Sequence, residues 1–127
     1  MKTILTLLAC TLLLAMVGCR PTEIKLGELI SGTITESDET DEDWKSQTYV
    51  VEVREGFQYF FDLTALDGDV VGVWSPDLGD YIIEVSPSVT TRSVPYVFSE
   101  GGKQELFIQS PAPHVPSPFT FKIWSPR

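Results

Sequence analysis

Two cysteines and one histidine are all that 127 residues contain of those types. Cys10 and Cys19 both lie in the first twenty residues, so the chain beyond Arg20 has no thiol with which to form a disulfide. That remainder is held by packing alone, whatever the redox state of its surroundings. With His114 as the single imidazole, a zinc site would depend on carboxylates for most of its ligands, a poor donor set for that metal. No Gly-x-Ser-x-Gly elbow occurs, and nothing near His114 in sequence offers a nucleophile with an orienting acid. Cations are scarce: nine Lys and Arg stand against 18 Asp and Glu, a formal charge of −9. Such a chain repels phosphate backbones, which sets nucleic-acid binding aside. Long apolar runs are confined to residues 4–17. As a helix that run rises only ~21 Å, short of the ~30 Å hydrocarbon thickness that a transmembrane span must cross.

What the first twenty residues do contain is a leader. Met1-Lys2 provides a positive start, the apolar run follows, and Val17-Gly18 places a small residue before Cys19. This is the layout of a secretory signal peptide. The segment Met16-Val17-Gly18-Cys19 resembles the lipobox of bacterial lipoproteins, with Met16 where that family most often has Leu. The resemblance implies cleavage before Cys19 and attachment of diacylglycerol to its sulfur. It also implies acylation, palmitate for example, of the new amine. Two or more acyl chains, at ~0.8 kcal/mol per buried methylene, anchor a protein stably. Arg20 rather than Asp follows the cysteine, which the resemblance reads as outer-membrane sorting where an outer membrane exists. The expected organisation is a signal peptide over residues 1–18, a lipidated end and short tether over 19–26, and a folded domain over 27–125. The protein is then extracytoplasmic and lipid-anchored to a cell membrane or outer membrane. Loss of Lys2 with the leader brings the net charge to about −10.

After Gly27 the apolar residues repeat with a period of two, and turn-formers recur every eight to twelve residues. Strands are expected over 28–35, 48–54, 57–64, 70–74, 81–85, 94–99, 104–110 and 119–124. Glu55-Gly56 is read as the turn of a hairpin joining the second and third of these. Glu100-Gly101-Gly102-Lys103 is read as a second hairpin turn. The proline-rich stretch 111–118 is expected to stay out of any central strand. No helical stripe is visible after the leader. About eight strands with one apolar face each predict an all-β, two-sheet sandwich with jelly-roll-like or Greek-key connections. A small closed β-barrel is the alternative.

The domain resembles the bacterial pre-peptidase C-terminal domain. The likeness rests on Ile30-Ser31-Gly32-Thr33-Ile34 and on the run from Tyr49-Val50-Val51-Glu52-Val53 through Gly56-Phe57-Gln58-Tyr59-Phe60-Phe61-Asp62-Leu63. Tyr96-Val97-Phe98, Gly101-Gly102, Glu105-Leu106-Phe107-Ile108 and Phe119-Thr120-Phe121-Lys122-Ile123 extend it. The family's acidic approach to its second strand survives only as Asp41-Glu42-Asp43-Trp44, with an insertion before Gln47. The resemblance implies a non-catalytic β-sandwich of a kind that binds matrix or polysaccharide in some members and calcium in others.

Two candidate sites follow from the residues. Glu36, Asp38, Glu39, Asp41, Glu42 and Asp43 place six carboxylates in eight positions, a hard-oxygen set that suits Ca²⁺, with Asp38, Asp41 and Asp43 as ligands. The alternative is a solvated acidic loop that keeps an edge strand from pairing with another chain. Trp44, Trp74, Tyr81 and Trp124 are the side chains best able to form a flat platform for a sugar ring or a protein partner, Trp74, Tyr81 and Trp124 foremost. The alternative is that they cap the end of the core. Asp62, Asp67, Asp69, Asp77 and Asp80 could pair for glycoside hydrolysis, but Asp is common in turns for local hydrogen bonding. The expected function is a non-catalytic binding or scaffold module that meets an envelope protein or polysaccharide. A calcium-dependent carbohydrate-binding module is the alternative, and an envelope hydrolase a remote third.

Overall fold

Alternation of apolar and polar residues produces ten strands in the computed structural model, which describes residues 21–41 and 43–126. The leader, the lipobox with Cys19, Glu42 and the side chain of Asp41 lie outside the described residues. In chain order the strands are β1 (Thr22–Ile24), β2 (Ile30–Ile34), β3 (Glu39–Asp41), β4 (Trp44–Val53) and β5 (Gln58–Ala65). They continue with β6 (Val71–Ser75), β7 (Asp80–Val85), β8 (Thr91–Val97), β9 (Gly102–Pro111) and β10 (Ser117–Trp124).

Two separate sheets form, so the fold is the expected sandwich and not a closed barrel. The larger runs β1-β4-β9-β6-β7, with β3 also on β4; the smaller runs β2-β10-β5-β8. β4 pairs along its whole length with β9, from Trp44↔Pro111 to Val53↔Gly102. Its other edge takes β3 near its start, Glu39 opposite Ser46, and then β1 in parallel, Thr22 opposite Tyr49.

Every strand of the two sheets except β3 and β8 contributes a buried apolar side chain to the core between them. Tyr49, Val51, Val53, Val71, Val73, Ile83, Val85, Leu106 and Ile108 face inward from the larger sheet. Tyr59, Phe61, Leu63, Phe119, Phe121 and Ile123 meet them from the smaller. Phe61 has Phe121, Phe98 and Tyr96 within 5.9–6.1 Å between ring centres, an aromatic centre that in part replaces the missing disulfide as the source of cohesion.

Neither expected hairpin exists. β4 pairs with β9 and β5 with β10 and β8, so the Glu55-Gly56 turn carries the chain from one sheet to the other. The connection from β8 to β9 crosses the sandwich in the same way, burying Phe98 on its path. Alternation determines which face of a strand is buried but not which neighbour it pairs with, and two facing strands on opposite sheets satisfy it equally well. The consecutive strands that do pair as antiparallel neighbours are β3 with β4 and β6 with β7.

Two strands come from segments expected to be irregular. Thr22–Ile24, read as part of a tether, is β1, with Ile24 buried and the following turn fixed by Gly27 N–H donating to the Ile123 carbonyl at 2.7 Å. The acidic stretch supplies β3. Pro118, expected outside any central strand, is the second residue of β10, which lies between β2 and β5. It is tolerated because its partners there are Thr33 on β2 and a carbonyl contact to Leu66, neither of which needs a proline N–H. No described helix is long and apolar enough to cross a membrane.

Candidate functional site

The outer face of the larger sheet carries an aromatic cluster. On β4 and β9 the residues opposite in phase to the core are Trp44, Ser46 and Thr48, and Phe107 and Gln109. On β6 they are Gly72 and Trp74. Register aligns Thr48, Phe107, Trp74 and Tyr81 across four strands, and Ser46, Gln109, Gly72 and Glu84 in the next row.

Tyr81 reaches this face through a β-bulge. Simple alternation from Ile83 and Val85 would turn Tyr81 inward. The register shifts between Val73 and Trp74, leaving Ile82 as the extra residue and bringing Tyr81 opposite Trp74. The Tyr81 ring then leans over Gly72: a Cβ there would stand 2.8 and 2.9 Å from its Cδ1 and Cε1. A residue with no side chain is what lets the ring lie down on the sheet. Its hydroxyl donates to Gln109 Oε1 at 2.7 Å, and its ring centre is 5.7 Å from that of Trp44. Trp74 packs on Phe107 at 6.1 Å. Under this cluster the Ser46 Oγ is buried without a hydrogen-bond partner. An orphaned buried hydroxyl costs ~1–3 kcal/mol, so such a group in a surface face points to a missing donor or acceptor.

The structure thus unites Trp44, Trp74 and Tyr81 and adds Phe107 and Gln109, while separating Trp124. Trp124 lies on the outer face of the opposite sheet, stacked on Phe60 at 4.9 Å, with its Nε1 donating to Asp62 Oδ2 at 2.9 Å. A single platform of Trp74, Tyr81 and Trp124 is therefore excluded by topology. Phe107 was visible in the sequence as an aromatic on the polar phase of its strand, between Leu106 and Ile108.

The acidic segment is a strand-and-turn edge. Asp38 Oδ2 accepts from the Thr35 N–H at 2.8 Å and from Gln47 Nε2 at 2.9 Å, and Asp43 is exposed. Asp41 lies in β3, its side chain outside the described residues. Among the described residues no group of three or more His, Cys, Asp or Glu is placed to hold a metal ion.

Of the aspartates considered for hydrolysis, Asp62, Asp69, Asp77 and Asp80 have partners in the fold. Asp62 also accepts from Ser93 Oγ at 2.6 Å, and Asp80 Oδ1 accepts from the Tyr81 N–H at 2.7 Å. Asp77 receives Tyr96 Oη at 2.5 Å, Ser99 Oγ at 2.6 Å and Ser99 N at 3.1 Å. Burial pushes the Asp77 carboxyl up, but these bonds outweigh it and hold it below the usual carboxylate range. Burial, then Asp77, raises the Tyr96 phenol. His114 Nδ1 stands 3.8 Å from Asp69 Oδ1, while the hydroxyls of Ser110 and Ser117 are buried and donate to the carbonyls of Val70 and His114. The outer face of the larger sheet presents aromatic rings packed around the Tyr81–Gln109 hydrogen bond.

Neither a protein-family model nor a curated protein matches the sequence. Among solved structures, the chain is similar to the 1.0 Å crystal structure of the pre-peptidase C-terminal domain of a collagenase from Bacillus anthracis. The two share 12% identity, and the match covers 82% of this chain and 94% of that one. At a TM-score of 0.59 the likeness establishes that this chain has a fold like that of the pre-peptidase C-terminal domain.

Proposed function

We propose that this protein is a lipid-anchored, non-catalytic binding module of a bacterial cell envelope, and that the outer face of its larger sheet is the binding surface. The observation that carries the reading is the Trp44–Tyr81 and Trp74–Phe107 cluster around Gly72. It is held on a rigid sheet by a bulge and a hydrogen bond, on a side of the molecule where the core has no use for it. Large, stiff, amphipathic rings at a surface are the usual anchors of recognition because little conformational freedom is lost on binding.

In this reading the anchor is a short one. With β1 starting at Thr22, only Arg20 and Pro21 separate Cys19 from the folded domain. At extended-chain spacing the three steps from Cys19 to Thr22 reach at most ~10 Å, so the domain sits at the bilayer surface and its partner comes to it.

Two experiments test the proposal. Cys19→Ser abolishes labelling by radioactive palmitate and moves the protein to the soluble fraction; continued labelling or membrane retention would remove the anchor. A photo-crosslinking amino acid at Trp74, in cells, yields a discrete adduct, whereas the same group at Ser31 on the opposite sheet does not. Equal yields from the two positions would remove the aromatic face as the binding surface.

A further inference from the structure

Carboxylates border the aromatic cluster on its own face. Glu39 is in register with Ser46, and Glu84 with Gly72, so the row Glu39, Ser46, Gln109, Gly72, Glu84 crosses five strands with an acid at each end. Glu84 Cγ lies 3.2 Å from where a Gly72 Cβ would stand, beside the Tyr81 ring that covers the same glycine. Glu105 follows on β9, two residues from Phe107 and on the same face.

The described cations nearest in the fold are engaged elsewhere. Lys103 pairs with Glu23 at 2.8 Å, and Lys45 Nζ donates to Thr40 Oγ1 at 2.7 Å. Arg92 donates to the Glu84 carbonyl rather than to its carboxylate. Ring faces are negative at their centres, and carboxylates beside them without internal partners add to that field. A neutral sugar would stack on the rings but leave both terminal acids unanswered. A cationic side chain uses rings and acids together.

Resting on the proposal that this face is the binding surface, we infer that its ligand is an extended basic segment of a partner protein with two arginines spaced to meet Glu39 and Glu84. Five strands at ~4.8 Å spacing put the two acids ~19 Å apart, and an extended peptide covers that in about six residues. An even spacing keeps both side chains on one side of such a peptide. One guanidinium lies against Tyr81 beside Glu84, and the other against Trp44 beside Glu39. Arginine fits better than lysine because its planar group stacks and donates at once.

The test is a titration of the ¹⁵N-labelled soluble domain with the heptapeptide Arg-Thr-Gln-Thr-Gln-Thr-Arg, capped at both ends. The isomer Arg-Arg-Thr-Gln-Thr-Gln-Thr carries the same charge. The expected result is that the spaced peptide shifts the indole N–H signals of Trp44 and Trp74 and leaves that of Trp124, on the opposite sheet, unmoved. It binds several-fold more tightly than the isomer, and Glu39→Gln and Glu84→Gln each weaken it by about three- to tenfold, while Glu55→Gln does not. Equal affinity for the two peptides, or an equal loss with Glu55→Gln, overturns the inference in favour of diffuse charge attraction. Shifts of Trp44 and Trp74 by cellotetraose or chitotetraose, with none from either peptide, also overturn it while leaving the face a binding surface. Silence from every probe overturns it too. The crosslinking yield at Trp74 then decides separately whether the face binds anything.

Discussion

Replacing Gly72 by alanine is the perturbation that bears most directly on how the aromatic face is built. The added methyl would stand 2.8 Å from Tyr81 Cδ1 and 2.9 Å from Cε1, nearly 1 Å inside normal contact, and 3.2 Å from Glu84 Cγ. The ring cannot yield freely, because its hydroxyl is bonded to Gln109 at 2.7 Å and its face meets Trp44 at 5.7 Å. Lifting it loses a hydrogen bond worth about 0.5–1.5 kcal/mol and an aromatic pair worth about as much. Against this, alanine in place of glycine in a strand stabilises by about 0.5–1 kcal/mol. The expected balance is a destabilisation of roughly 1 kcal/mol, which for a domain of this size lowers the thermal midpoint by ~4–8 °C. A thermal melt followed by circular dichroism, with tryptophan emission recorded alongside, measures both the stability and the exposure of Trp44. The control is the same change in a Tyr81→Ala background, where only the flexible Glu84 side chain, 3.2 Å away, has to give by a few tenths of an ångström and the methyl should be near neutral. If Gly72→Ala alone matches or exceeds the wild type, with unchanged emission, the ring does not lie over Gly72 and the geometry of the face is wrong.

Three further outcomes are expected. Gly32→Ala places a methyl 2.8 Å from Cζ of the fully buried Phe119, and overpacking of that kind costs ~1–3 kcal/mol, visible as a lowered denaturant midpoint. A wild-type midpoint would show that β2, an edge strand, simply moves aside. Asp77, whose carboxyl is held below its usual range, contributes stability that is present above pH ~4 and disappears as pH falls through its folded-state value. Asp77→Asn should therefore lower the midpoint at pH 6 and converge on the wild type at pH 2, and parallel curves at both pH values would discard the linkage. Millimolar Ca²⁺ should leave the melting midpoint unchanged, since the Asp38 carboxylate is already engaged by Thr35 and Gln47, whereas a specific site would raise it by mass action.

The aromatic face shows where sequence reasoning reaches and where it stops. Trp44, Trp74 and Tyr81 were picked out as large rings near strand ends, and Phe107 was legible as an aromatic out of phase with Leu106 and Ile108. That they converge depended on register between β4, β9, β6 and β7, which are 33 residues apart or more at their closest non-hairpin pairing, Trp74 with Phe107, and have no local signal for each other. Trp124 went to the other sheet for the same reason.

By itself the sequence determined what local chemistry determines. It specified an all-β domain with a period-two core, no thiol beyond Cys19, and a strong negative charge. Each of these follows from residue identity or from spacing within one strand. Tertiary structure alone decided that the Glu55-Gly56 turn crosses the sandwich, that Thr22–Ile24 is a strand, and that a bulge at Ile82 sends Tyr81 outward over Gly72. Those outcomes turn on which strand finds which partner, a competition among contacts distant in sequence that side-chain alternation leaves undetermined.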